Sequence, residues 1–114
     1  MSRDFVNAVC ATLPGAERSD PWGGGHDAWK VGGKMFAVVG AAGDAVSVKT
    51  PSTEDAAMLI DLGRAERAPY LHRSWVKIPW ALAEEDELND RIRTSYAVIR
   101  SGLAKKLQAI LDPI

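Results

Sequence analysis

Apolar residues at helical spacing mark three segments of the chain. The first helix is predicted over residues 3–12, because FVNAVC places apolar side chains three and four positions apart before a proline-glycine pair. PSTEDAAMLIDLG predicts a second helix, with Ser52 as its N-cap and Gly63 just past its end. The third segment begins near Leu88, and its apolar residues recur as far as Ile110, which predicts one long final helix.

Strands are predicted between these helices. AWKV and KMFAVVG flank Gly32-Gly33, a pair that favours a two-residue hairpin turn, and AVSVK follows as a third strand. SWVKI predicts a further strand that stops at Pro79, and a short strand around 64–67 is a further possibility. This order predicts an α+β fold, a two-layer sandwich of an antiparallel sheet with helices packed on one face, formed as a single domain by residues 1–114.

Alternation along the strands assigns side chains to the two faces of the sheet. Val76 and Ile78 are predicted to face the helices, so that their neighbours face outward. The outer face is then expected to carry Lys30, Lys49, Arg73, Trp75 and Lys77. Basic side chains neutralise phosphates and an aromatic ring stacks on a nucleobase, although an open antiparallel sheet also commonly has a charged, solvated outer face.

Composition limits the function classes. The 114 residues carry a net charge of -1, which argues against a protein that coats nucleic acid by bulk charge. Basic residues are concentrated between Arg64 and Lys77, and acidic ones between Glu84 and Asp90. No apolar run reaches the roughly 20 residues that span a bilayer, and no secretory signal is visible, so a cytoplasmic protein without a membrane partner is expected.

Other chemistry finds little support in the sequence. Cys10 is a lone cysteine at a helical core position, so we expect a buried, inert thiol. No nucleophile elbow or histidine metal motif occurs, so no catalytic residue, metal ligand or cofactor is expected. The acids of EEDELND could bind a cation, but they are also the residues expected at the start of a helix, where negative charge meets the helix dipole.

Five segments, taken in order, resemble the MmcQ/YjbR family: LPGAERSDPWG, WKVGGKMFAVVG, VSVKTP, YLHRSWVKI and SYAVIRSGLAKKL. The resemblance runs from about Leu13 to Leu107 and implies a fold similar to CyaY and frataxin. Members of this family are described as DNA-binding proteins with a double-wing arrangement. By matching motif, the resemblance carries over these positions as DNA-binding candidates: Lys34, Lys49, His72, Trp75 and Lys77.

The leading hypothesis is therefore a small DNA-binding protein, assumed to be monomeric, with no catalysis implied. Lys49, Arg73 and Lys77 would contact phosphates and Trp75 would stack on a base. A protein- or small-ligand-binding domain that uses the loop 22–26 is the alternative, and a pocket between Trp22 and Trp75 with His72 at its rim would favour it. A frataxin-like metal-binding role is a further alternative, although the first predicted helix carries Asp4 as its only acid.

Overall fold

The protein folds as helices packed on an antiparallel sheet. The structure, a computed structural model, describes residues 2–113. Within that range the elements are, in chain order, α1 (Ser2–Ala11), β1 (Glu17–Ser19), β2 (Asp27–Val31), β3 (Lys34–Val39), β4 (Ala45–Lys49), α2 (Thr53–Asp61), β5 (Glu66–Arg67), β6 (Trp75–Pro79), α3 (Glu85–Ser101) and α4 (Lys105–Ala109). The predicted α+β sandwich is confirmed. Strand β1 was not predicted, and β5 corresponds to the short strand.

The strand order in the sheet is β1-β2-β3-β4-β6-β5, and every neighbouring pair is antiparallel. β2, β3 and β4 form a meander, and α2 then carries the chain past β4 so that β6 pairs with it and β5 takes the edge. Ser52 caps α2 as predicted, since its side chain accepts a hydrogen bond from the Asp55 amide. The short edge strands limit how much unpaired backbone the sheet exposes.

The core lies between the helices and one face of the sheet. The strand residues predicted to face inward, among them Val46, Val48, Val76 and Ile78, are buried in it. Phe36 and Tyr96 meet edge-to-face at the centre of this layer, with ring centroids 5.3 Å apart. The opposite side, which we call the open face, carries the alternate residues of the strands: Ala28, Lys30, Met35, Val38, Ala45, Ser47, Lys49, Trp75 and Lys77.

A β-bulge adjusts the sheet under α3. The register between β2 and β3 shifts at Trp29/Lys30, so Phe36 and Ala37 are both buried although they are consecutive. Ser95 of α3 compensates for the disturbed ladder: its hydroxyl donates to the Phe36 carbonyl at 2.6 Å and accepts the Lys49 amide at 2.9 Å. This buried serine thus connects the neighbouring strands β3 and β4 through a helix.

The prediction of one long final helix is wrong. α3 ends at Ser101, and α4 restarts only at Lys105. The break directs Leu103 into the core beneath Gly32, where a Cβ at the glycine would lie 2.7 Å from the leucine side chain. The sequence pattern missed the break because Leu103 and Leu107 continue the helical spacing of apolar residues.

Candidate functional site

A groove of about 690 Å³ lies on the open face. Its floor is formed by alternate residues of β3, β4 and β6, and a loop stands on each side. The lining is mostly apolar, with a few polar side chains among the aliphatic and aromatic ones: Trp22, His26, Met35, Val38, Gly40, Ala41, Ala42, Asp44, Ala45, Ser47, Pro69, Tyr70, Leu71 and Lys77. Both its size and its lining match those of small-molecule sites.

The first wall is the glycine-rich loop that carries Trp22. The Asp20 carboxylate accepts the amides of Gly25, at 3.0 Å, and His26, at 3.2 Å. The His26 ring nitrogen Nδ1 lies 3.1 Å from the Gly23 carbonyl and must donate to it, and the ring meets Trp22 edge-on at 5.2 Å. The loop is therefore held in place although the Trp22 side chain is 58% exposed.

Arg3 of α1 also fixes this wall through hydrogen bonds. Its guanidinium donates to the Gly25 carbonyl at 2.9 Å, to the Gly40 carbonyl at 2.8 Å and to the Asp27 carboxylate at 2.8 Å. Gly40 opens the turn that carries Ala41 and Ala42 into the groove. One side chain thus fixes both loops on this side.

Asp27 balances the charge of Arg3. Burial alone would raise the pKa of this carboxyl group, but hydrogen bonds from Asn7 and Arg3, together with the charges of Arg3 and Arg18, lower its pKa below the ordinary value. Asn7 is itself fixed, since its carbonyl accepts the Trp29 indole N–H at 2.8 Å. The wall therefore rests on a satisfied polar network between α1 and β2.

The second wall is the turn that carries Tyr70. Its backbone has φ 68°, and it is the one non-glycine residue with positive φ among residues 2–113. That conformation is costly for a tyrosine, and the side chain is fully exposed, so burial does not explain it. The Arg67 guanidinium holds the turn by donating to the carbonyls of Ala68, at 3.0 Å, and Leu71, at 3.2 Å. Trp22 lies in the connection between β1 and β2 and Tyr70 in the connection between β5 and β6, so two exposed aromatic side chains line the groove from opposite ends of the strand order.

The floor contains one cross-strand polar pair. Ser47 of β4 lies directly opposite Lys77 of β6. Both are half-buried, and Met35, Val38 and Ala45 provide the apolar floor around them. Lys77 belongs to none of the ion pairs found among residues 2–113.

Three of the predicted DNA-binding residues lie toward one end of the sheet, and two of them are linked by hydrogen bonds. Lys49 is the register partner of Trp75. The Lys49 ammonium donates to the Ser74 hydroxyl, which lies 2.8 Å from Nδ1 of His72. Lys34 is exposed at the start of β3, toward the same end, but it is the register partner of buried Val31 and therefore lies on the helix side of the sheet. We call this set, Lys34, Lys49 and His72, the basic end.

Two predictions about this region are wrong. Trp75 is only 7% exposed, so it cannot offer a ring face for stacking, although by alternation it points away from the main core. Arg73 is not part of a strand, because β6 begins at Trp75 and the Trp75 amide closes a turn onto the His72 carbonyl at 2.8 Å. Arg73 instead lines a separate cleft beside α2, with Glu54 and Arg67. Lys30 and Lys49 do lie on the open face as predicted.

The sequence profile of the YjbR family matches residues 11–98, which is most of the chain. The protein belongs to the YjbR family.

A crystal structure of Deinococcus radiodurans protein DR2400, which carries a DUF419 (YjbR/MmcQ) domain, is similar to this YjbR protein. It has a TM-score of 0.79 and 20% sequence identity, and the match covers 94% of this chain and 85% of that one. The likeness supports the fold, while the predicted resemblance to CyaY stays a prediction. No curated protein sequence matches the chain significantly.

The pocket between Trp22 and Trp75, with His72 at its rim, that would favour the ligand-binding alternative is not found among residues 2–113 of this YjbR protein. Trp22 does line a groove, but Tyr70 and His26 line it with Trp22, and Trp75 and His72 do not. A single tyrosine in the segment APYL gives no sequence signal for a groove. The positive φ of Tyr70 is visible only in three dimensions.

Cys10 and the acidic segment of the YjbR protein both have structural explanations. Burial explains the cysteine, and the dipole of α3 explains the acids. Cys10 is fully buried, and burial raises the pKa of its thiol to about 12, which fits the prediction of an inert core residue. Glu85, Asp86 and Glu87 form the first turn of α3, as the helix-dipole interpretation predicts. Within residues 2–113 no group of three or more potential metal ligands is found, and no helix is long and apolar enough to cross a membrane.

Proposed function

We propose that the protein is a binding module and that its groove holds a small molecule with a flat apolar body between Trp22 and Tyr70. The observation that carries this proposal is the pairing of two exposed aromatic side chains across an apolar floor. In this proposal the protein binds without catalysing a reaction, as a cytoplasmic monomer.

The walls support binding because they are held before any ligand arrives. Asp20 and Arg3 fix the Trp22 loop, and Arg67 fixes the Tyr70 turn, through hydrogen bonds to backbone groups. A site whose loops are already ordered loses less conformational entropy on binding. The strained backbone of Tyr70 is in keeping with a functional position, since strain of this kind clusters at binding sites.

Equilibrium dialysis of indole tests the proposal. We expect a dissociation constant of about 1 mM or tighter, the range of a small fragment in a preformed apolar site. Tyr70→Ala and Trp22→Ala should each weaken binding by about threefold to tenfold, because each removes one aromatic contact.

Ile110→Ala is the matched control, since Ile110 is an exposed apolar residue at the end of α4. It should leave the dissociation constant unchanged. Equal losses in all three variants would mean that indole adheres to exposed apolar surface in general, and the proposed function would then be wrong.

DNA binding at the basic end is the second candidate function. What favours it is the linkage of Lys49 to His72 through Ser74, which places two donors side by side. The Ser74 amide donates to Nδ1 of His72 at 3.1 Å, so a neutral His72 carries its proton on Nε2. Lysine ammonium and imidazole N–H groups are suitable donors to phosphate oxygens.

Titration of duplex DNA at several salt concentrations tests this candidate. Lys34→Gln and Lys49→Gln should each reduce the slope of log K against log salt by about 0.9, the value for one lost phosphate contact. Lys106→Gln, on α4, is the control for a simple change in net charge. A dissociation constant weaker than about 10⁻⁴ M at low salt would exclude the candidate, because ordinary non-specific binders are tighter.

A further inference from the structure

We infer that the ligand of the groove is a small carboxylate, whose oxygens are bound by the Ser47 hydroxyl and the Lys77 ammonium. This inference rests on the proposed function, because it names the chemical class of the molecule that lies between Trp22 and Tyr70. An apolar ring would occupy the aromatic side of the groove, and its carboxylate would reach the polar pair on the floor.

The register of the sheet sets the spacing of the polar pair. Ser47 and Lys77 are direct cross-strand partners, so their Cβ atoms are about 4.5–5.5 Å apart and both side chains stand on the open face. From neighbouring Cβ positions, the Ser47 hydroxyl and the ammonium at the end of the flexible Lys77 side chain can each donate to one oxygen of the same carboxylate. The Ser47 hydroxyl takes part in no hydrogen bond found among residues 2–113, so it is available to a ligand.

The position of Lys77 favours an anion over a neutral ligand. Lys77 is half-buried in the floor and has no ion-pair partner among the described residues. A ligand that fills the groove removes water from the ammonium group, and a charge that loses water without gaining an acceptor is strongly unfavourable. A ligand with a carboxylate supplies that acceptor, whereas a neutral or cationic ligand does not.

Nearby acids limit the anion to a small one. Glu66 is the other cross-strand neighbour of Lys77, and Asp44 lies at the edge of the groove; both are exposed. A single carboxylate can approach Lys77 from the apolar side of the floor. A polyanion such as DNA would have to lie along these two acids as well, and like charges repel it. The two acids therefore disfavour a polyanion far more strongly than a compact monoanion that reaches Lys77 from the apolar side.

Three probes with the same ring test the inference: indole-3-acetate, indole and tryptamine, which are anionic, neutral and cationic near pH 7. Equilibrium dialysis should give the order acetate, indole, tryptamine from tightest to weakest. We expect indole-3-acetate to bind about tenfold more tightly than indole, as a charge-assisted hydrogen bond provides. Equal binding of the three probes, or tightest binding of tryptamine, would overturn the inference.

Variants of the polar pair assign the effect to these side chains. Lys77→Met keeps an unbranched apolar stem and should bring the ratio of the indole and indole-3-acetate dissociation constants, measured in the same variant, close to one. Ser47→Ala should reduce that ratio in part. Lys30→Met removes a lysine from the open face outside the groove and should have no effect. Retained preference in Lys77→Met, with an amide NMR spectrum that shows a folded protein, would contradict the assignment.

The outcomes separate this inference from the proposed function. Binding of indole that depends on Tyr70, without any gain for the acetate, would leave the groove as a binding site and overturn the carboxylate inference alone. Absence of binding for all three probes would overturn both.

Discussion

The groove and the basic end lie on the same sheet but are built differently. In the groove, the two exposed aromatic side chains stand on loops whose backbone donates to Asp20 and accepts hydrogen bonds from Arg3 and Arg67. At the basic end, Lys34 is an exposed lysine at a hairpin, and Lys49 already donates to Ser74. Charge alone marks the basic end, whereas shape, apolar surface and ordered walls coincide in the groove.

Charge distribution sharpens this contrast. Lys77 was expected to join the basic surface, but it lies in the floor of the groove with Asp44 and Glu66 nearby. Arg73 was expected there too, but it faces a cleft that also contains Glu54. Without these two residues and without stacking on Trp75, the basic end is smaller than the sequence indicates. The difference teaches that a run of basic and aromatic residues on one strand need not form one surface.

The largest expected effect is a difference in stability between the alanine variants of Trp75 and Trp22. Trp75→Ala should lower the free energy of unfolding by about 3–5 kcal/mol, because it removes a large buried side chain. Trp22→Ala should change it by less than about 0.5 kcal/mol, since Trp22 stands exposed at the edge of the groove. Urea denaturation of both variants measures the difference. Similar values for the two would mean that Trp75 is not structural.

The next largest effect concerns the buried Ser95 hydroxyl, which links β3 and β4 through α3. Ser95→Ala should lower the free energy of unfolding by about 1–3 kcal/mol, because it leaves the Phe36 carbonyl and the Lys49 amide without their partner. Ser101→Ala is the matched control in the same helix, since Ser101 is exposed. The unfolding midpoint in urea measures both. A Ser95 variant as stable as the Ser101 variant would show that the strand junction does not depend on this hydroxyl.

A smaller effect should appear at the wall of the groove and should depend on pH. Asp27→Asn should reduce stability at neutral pH by about 1 kcal/mol, through weaker bonding to Arg3. Because the folded state lowers the pKa of Asp27, its contribution is fully present above about pH 4, the ordinary value, and is lost as pH falls through the lower folded value. The gap between wild type and variant should therefore close in acid.

Denaturation at neutral pH and at acidic pH measures that gap. Asp4→Asn is the control, because Asp4 is an exposed acid on the same helix as Arg3. A gap that persists unchanged in acid would show that Asp27 does not act through its charge.

The sequence predicted the layers of the fold better than its surface. Alternation assigned Val46, Val48, Val76 and Ile78 to the core correctly, because local pattern determines which strand face is apolar. Alternation could also place Trp75 on the open face, but exposure depends on what packs there, which is set by contacts distant in sequence. The wall at Tyr70 depends on a positive φ that is unusual for tyrosine. The resemblance to the family assigned no role to this residue.

We propose that the groove, and not the basic end, is the place where this protein binds a ligand. Backbone amide shifts of the ¹⁵N-labelled protein, recorded as indole is added, test it most directly. We predict progressive shifts at Val38, Ser47 and Tyr70, which line the groove, and none at Lys34 or Lys49. Shifts confined to Lys34 and Lys49, or a spectrum that indole leaves unchanged, would contradict the account.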